Sequence, residues 1–187
     1  MRAIQLHALT NVEHLVQPED FDELSVNSPA LAIFTDFKKH KPLMIDSQTT
    51  ALSAEQEMLR THVKMKLVVD AKRELVGVIS YEDICKQNIV KMAANGYQQN
   101  EILVSDLMRH RSELRVLDFT DITSARIGDV IETLKQNGVQ HCLVVDSQQH
   151  HIRGLISASD IARKLKLNIS IQYPPSFVDI FNAITGH

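Results

Sequence analysis

Serine and aspartate recur at one spacing, twice, in this chain: "GVISYEDI" runs from Gly77 to Ile84, and "GLISASDI" from Gly154 to Ile161. In each, an apolar run ends in a serine, Ser80 or Ser157, and an aspartate, Asp83 or Asp160, follows three residues later. A serine where a strand passes into a helix stands beside unsatisfied backbone N–H groups and the positive end of the helix dipole, a setting that favours an anion such as phosphate. A carboxylate three residues further on accepts hydrogen bonds from two vicinal hydroxyls. Gly77 and Gly154 carry no side chain, so another backbone or a ligand can come close. Ser-x-x-Asp is also close to a capping box, in which the two side chains only close a helix N-terminus. Both readings stay open for each copy.

The elements that must position these residues are repeated too. "VKMKLVVDAKRELVGVISYEDI" (63–84) lies beside "VQHCLVVDSQQHHIRGLISASDI" (139–161), which has one extra residue. Upstream, "LMIDSQTTALSAEQEML" (43–59) corresponds to "RVLDFTDITSARIGDVIETL" (115–134), and "FTDF" (34–37) resembles "VSDLM" (104–108). Duplication on this scale means two copies of one supersecondary unit. Each copy reads as strand, helix, strand, turn, strand, helix. In the first, Leu43 to Ile45 is a short strand, and Thr49 or Thr50 caps a helix running to about Arg60. "KLVVD" is apolar enough for a strand covered on both faces, and "LVGVIS" follows closely enough to form a hairpin with it. "YEDICKQNIVKMAANG" reads as a helix with Gly96 as its stop. The second copy has "HCLVVD", "IRGLIS" and "ASDIARKLKL" in these places.

Neither copy can bury both faces of so small a sheet alone. The expected fold is therefore α/β (α+β), two β-α-β-β-α repeats packed sheet to sheet about a pseudo-twofold axis. The expected division is an N-terminal arm (1–25), repeat 1 (26–96), repeat 2 (97–167) and a C-terminal tail (168–187). In the tail, Phe177, Ile180, Phe181 and Ile184 fall at helical spacing after Pro174, Pro175 and Ser176, an amphipathic helix suited to the protein's own core or to a second copy.

A formal net charge of −3 lacks the basic excess of a protein held mainly to nucleic-acid phosphates. Cys85 and Cys142 form no CxxC and no disulfide framework, which fits a reducing cytoplasm. The N-terminal "MRAIQLHALTNVEH" is too interrupted by polar residues for a signal peptide or a membrane span. His150 and His151 fall in the polar turn of the second hairpin, and no ligand set at metal-site spacing accompanies them. His62 and His141 flank the starts of the second strands, where they read as partly exposed side chains or as phosphate contacts. "MRHRSELR" (108–115) is locally basic and reads as a solvated loop, with contact to phosphate tails or an acidic partner as the alternative. Gly-x-Ser-x-Gly, a P-loop and a base placed to activate a nucleophile are all missing, so the chain does not read as an enzyme.

The duplicated "VVD", Gly-x-Ile-Ser-x-x-Asp-Ile and the "VSDLM" before the second copy resemble a tandem pair of CBS domains, over roughly Val26 to Leu167. The resemblance implies a regulatory, non-catalytic protein that binds an adenine nucleotide (AMP, ADP or ATP) or S-adenosylmethionine in clefts between the repeats, needs no metal, and commonly forms a homodimer. It also implies an effector protein as partner, with no nucleic acid. A ligand-free interaction scaffold of the same fold is the alternative.

By the same resemblance each cleft joins the Ser and Asp of one repeat to the beginnings of strands in the other. The favoured cleft holds Leu43, Met44, Val63 and Lys64 with Gly154, Ile156, Ser157, Ser159 and Asp160. The second holds Ser80, Glu82 and Asp83 with Val116, Leu117, Val139 and Gln140. Glu82 stands where the favoured cleft has Ser159, and Gln140 where it has Lys64. An acid replaces a hydroxyl and an amide replaces a cation, which disfavours a phosphate.

Overall fold

The computed structural model describes residues 24–94, 96–167, 169 and 174–186. Its strands form two four-stranded sheets built on one plan. In the first, β2 (Met44–Asp46) runs parallel to β3 (Met65–Val69), which pairs antiparallel with β4 (Leu75–Ser80). In the second, β6 (Val116–Asp118) runs parallel to β7 (His141–Asp146), which pairs antiparallel with β8 (His151–Ser157).

The fourth strand of each sheet comes from the segment that precedes the other repeat. β1 (Phe34–Asp36) lies antiparallel on β8, and β5 (Arg109–His110) lies antiparallel on β4. The sheet orders are thus β2-β3-β4-β5 and β1-β8-β7-β6. Two expectations are corrected here. "MRHRSELR" is not all loop, because Arg109 and His110 form the strand beside β4 and Arg111–Glu113 make a 3-10 turn, although His110 to Glu113 and Arg115 remain exposed to solvent as the sequence suggests. "FTDF" and "VSDLM" do not fold alike: the first is β1, and the second opens as one helical turn, α3 (Val104–Leu107).

The chain divides into two compact units. One comprises Phe34–Ser124 and His141–Ser157 and contains both sheets. Within it, Met65, Leu67 and Val78 of the first sheet pack with Leu143 of the second, and Phe37, Met44, Leu114 and Leu155 close around them. On the other face of the first sheet, Ile45, Val68 and Ile79 pack on Ala51, Ala54 and Met58 of α1 (Ala51–Thr61) and on Ile84, Ile89 and Ile102. A strand buried on both faces explains the almost wholly apolar run of "KLVVD". Lys66, in that run, is 5% exposed and pairs with Glu57 of α1.

Thr50 caps α1, its side chain accepting from the Ser53 N–H, and His62 closes the helix at φ 54°. The next helix, α2 (Lys86–Ala94), starts later than its sequence suggests. The Asn88 amide donates to the carbonyls of Glu82 and Asp83, at 3.0 and 3.1 Å, the groups a continuous helix would offer to residues 86 and 87. Asp83 therefore stands in a turn before the helix. In the second copy a short helix, α4 (Phe119–Ser124), fills the extra residues after β6.

Of the described residues, the other unit comprises those from Leu24 to Ile33, Ala125–Gln140 and those after Ser157. It holds α5 (Ile127–Leu134), a 3-10 turn (Lys135–Asn137), α6 (Ala158–Lys164) and α7 (Phe177–Thr185). α7 lies on α5, on the turn after it, and on α6. Phe177 and Ile180 are fully buried, and the Lys135 ammonium stands 4.2 Å from the centre of the Phe181 ring.

Candidate functional site

The two motif glycines have one shared task. Gly154 pairs with Asp36 of β1, and a β-carbon there would stand 2.2 Å from the Thr35 carbonyl oxygen and 2.4 Å from the Phe34 ring. Gly77 pairs with His110 of β5, where a β-carbon would meet the Arg109 carbonyl oxygen at 2.4 Å. The sequence left a backbone or a ligand as the close neighbour; in both copies a backbone fills the space. β1 is further tied to β8 by Arg153, whose Nε and Nη2 donate to the Asp36 carboxylate at 2.9 and 2.7 Å. The guanidinium holds the Asp36 carboxyl below the usual carboxylate range and is itself stacked 4.2 Å from the centre of the Phe119 ring.

The Ser-Asp pairs diverge. In the first copy, the Asp83 carboxylate accepts from the Ser80 N–H at 2.9 Å and from the Ser80 hydroxyl at 2.6 Å, while Ser80 Oγ accepts from the Asp83 N–H. That is a closed capping box. In the second copy Asp160 is the third residue of α6, and its carboxylate takes the Arg163 guanidinium at 2.8 Å. Asp160 is 35% exposed and Arg163 68%, an ion pair at the surface. Arg163 was missed in the sequence, although its i,i+3 spacing from Asp160 is the signal for such a pair. Ser157, buried at the end of β8, sits opposite His141 in the ladder, and Ile156 opposite Cys142. Ser159 follows in the first turn of α6.

Leu43 and Met44 line a groove of about 540 Å³ with Lys41, Lys66 and Arg73. Val63 and Lys64 lie outside that lining. The Lys64 carbonyl accepts from the Tyr81 N–H at 2.9 Å, and its ammonium stands 5.3 Å from the centre of the Tyr81 ring. Val116 is exposed at the edge of its sheet, paired with Leu143, beside Leu117. Val139 and Gln140 meet the tail: the Val139 carbonyl accepts from the Phe177 N–H at 3.1 Å, and the Gln140 amide donates to the Pro174 carbonyl at 3.2 Å. No sequence signal pointed to Pro174 as a partner of Gln140.

His62 is exposed at the C-cap of α1, and His141, half-buried, opens β7. Among the described residues, no three His, Cys, Asp or Glu side chains gather where they could hold a metal ion, and no helix is long and apolar enough to cross a membrane. Burial pushes the Cys142 thiol up to about 11.

No curated protein is matched by this sequence. Among solved structures the chain is similar to a conserved protein of Pyrococcus horikoshii, with a TM-score of 0.57 and 18% identity over 79% of this chain and 98% of that one. It is similar to a conserved CBS-domain protein of Thermoplasma acidophilum, with a TM-score of 0.53 and 21% identity over 81% and 77% of the two chains. A third is CBSX2 of Arabidopsis thaliana, solved in complex with AMP, with a TM-score of 0.53 and 19% identity over 73% and 94%. The CBS-domain pair of the protein MJ0100, solved with 5'-methylthioadenosine and S-adenosyl-L-methionine, has a TM-score of 0.51 and 18% identity over 74% and 95%. The family described as CBS domain matches residues 35–88 and 104–167, one span for each copy of the repeat. With both repeats matched and the strand order common to the two sheets, this chain belongs to the CBS-domain family.

Proposed function

We propose that the protein is a regulatory CBS pair that binds an adenosine-containing ligand through Asp160, with AMP, ADP or ATP as the leading ligands. The observation that carries the reading is the difference between the two aspartates. A diol that takes both carboxylate oxygens of Asp83 must compete on Oδ2 with the two hydrogen bonds from Ser80, each worth roughly 1.5–3 kcal/mol as a bond to a charged group. Asp160 has only to exchange a surface ion pair worth roughly 0–1 kcal/mol. Its place in the first turn of α6, three residues after Ser157, suits a diol beside a phosphate. CBSX2 and MJ0100, which share the fold, were solved with AMP and with sulfur-containing adenosine compounds respectively, which supports the ligand class.

In this reading Ser157, Ser159 and Asp160 hold the ribose and phosphate, Leu43, Met44 and Val63 face the adenine, and Lys64 supplies a cation. Ligand binding shifts the population of repeat or dimer geometries by its differential affinity, and an effector protein reads the result. The site has no catalytic role. A thermal-shift panel of AMP, ADP, ATP and S-adenosylmethionine tests it, since a ligand of the native state must raise the melting temperature. Calorimetry should then lose binding with Asp160→Ala. No shift with any compound at millimolar concentration sinks the reading in favour of a scaffold, as does binding that survives Asp160→Ala unchanged. The closed box of Ser80 and Asp83 favours the scaffold role for the first copy's motif.

A further inference from the structure

We infer that the flank of the first sheet carries an oxyanion site of its own, which takes a small phosphate- or carboxylate-bearing molecule with an apolar body. The site is the groove of about 540 Å³ along β2, the outer strand of that sheet, and all of its lining, from Lys41 to Arg73, belongs to the sheet-bearing unit. Volumes of this order hold small molecules. Among the lining charges only Lys66 is buried, its side chain 6% exposed. Met65 and Leu67 beside it pack toward the second sheet, so the alternation of side chains along a strand turns Lys66 to the α1 face. Its ammonium carries three N–H donors and has one acceptor among the described residues, Glu57 Oε1, which leaves two for a ligand.

The acids of the groove are engaged within the chain. Asp46 accepts from the Gln48 N–H at 2.8 Å, Asp70 from the Lys72 and Glu74 N–H groups at 2.9 Å each, and Glu57 from Lys66. They do not gather at a metal position. Lys41 and Arg73, by contrast, make no ion pair and no side-chain hydrogen bond among the described residues. The planar fork of an arginine matches two oxygens of a phosphate or a carboxylate. Leu43, 54% exposed, and Met44 supply an apolar wall beside these charges. Glu57 has 42% of its side chain exposed, so it can turn into solvent and yield the Lys66 ammonium to an arriving anion. Val63, Lys64 and both Ser-Asp motifs lie outside the lining, and the inference does not rest on the adenosine reading.

Calorimetry and thermal shift on the full chain, with phenyl phosphate, phenylacetate and inorganic phosphate at one ionic strength, test this. At least one ring-bearing probe should bind, about tenfold more tightly than inorganic phosphate because the ring covers apolar surface, and whichever binds names the oxyanion. Lys66→Met and Arg73→Gln should each weaken that binding about tenfold, the loss of one hydrogen bond between charged groups. Glu57→Gln should bind more tightly than the parent, and the probe should restore the melting temperature that this variant loses. A pair that only stabilises the fold would not move affinity in opposite directions. Binding indifferent to Lys66→Met and Arg73→Gln, equal binding of inorganic phosphate, weaker binding by Glu57→Gln, or no binding of any probe each overturns the inference. Adenosine, which has no oxyanion, should leave the probe in place; displacement by it would show one site instead of two and overturns the inference as well. A protein that ignores adenosine compounds but binds the probe in this pattern loses the adenosine reading and keeps this one.

Discussion

Gly154→Ala tests the idea that the motif glycine exists for a neighbouring strand. The added methyl would meet the Thr35 carbonyl oxygen at 2.2 Å and two Phe34 ring carbons at 2.4 and 2.6 Å, against about 3.5 Å for an ordinary contact. Backbone oxygen cannot swing aside as a flexible side chain does, so β1 must move by about 1 Å to relieve an overlap of this size. Overpacking of this kind costs roughly 1–3 kcal/mol, with a carbonyl in the way at the upper end. Movement also strains the Phe37 N–H bond to the Arg153 carbonyl, 2.9 Å, and the bidentate Arg153–Asp36 pair, both of whose side chains are 14% exposed. About 3 kcal/mol in total, at roughly 2–4 °C per kcal/mol for a chain of this length, lowers the melting temperature by about 6–12 °C. Differential scanning fluorimetry reads this directly, and Gly77→Ala should fall in the same direction because Arg109 blocks it at 2.4 Å. A Gly154→Ala protein that melts within about 2 °C of the parent refutes the reasoning, since the strand would then have room for a side chain.

The Asp36 carboxyl is held low in the native state by Arg153. A depressed carboxylate stabilises above its unfolded value near 3.9 and loses that contribution as pH falls through the native value. The urea-midpoint gap between parent and Asp36→Asn should therefore be constant from pH 7 to 5 and shrink below about pH 4; a gap unchanged in strong acid would count against the pair. Removing Glu57 strands the buried Lys66, whereas removing Lys66 strands only a half-exposed acid. Glu57→Gln should accordingly cost about 1–2 kcal/mol, discounted for the exposed partner, and Lys66→Met close to nothing, with the reverse order in urea melts as the contrary result. Cys142, at about 11, is on the order of 0.1% thiolate at pH 8. Iodoacetamide followed by mass spectrometry should label half-buried Cys85 first, and prompt labelling of Cys142 would show that its strand opens.

Much of the fold was legible because burial wrote it into the local pattern. "KLVVD" and "HCLVVD" are mostly apolar since both faces of β3 and most of β7 are covered, and Thr50 announced α1 with a cap. The exchanged strands were not legible. β1 and β5 are three and two residues long, too short for any periodicity, and what defines them is a partner far away in sequence. The late start of α2 was hidden for a related reason: it depends on where the Asn88 side chain turns. The duplicated Ser and Asp stood out as the candidate site. Their difference did not, because Ser80 and Asp83 bonding each other while Asp160 takes Arg163 is a choice among rotamers that identical spacing cannot reveal.

The exchange of β1 and β5 also sets an order of events during synthesis. Asp36 and its partner Arg153 are 117 positions apart, so β1 leaves the ribosome long before the strand it completes exists. At roughly 5–20 residues per second the wait is about 6–23 s. Between the completion of β4 at Ser80 and the arrival of β5 at Arg109, 29 residues or about 1–6 s later at the same rate, the β4 edge also stays open as a template for stray pairing. Closing so long a loop is slow and is rewarded only at the end. The nascent first half is thus a waiting intermediate, and the last strand to arrive, β8, gives β1 its place and completes the second sheet.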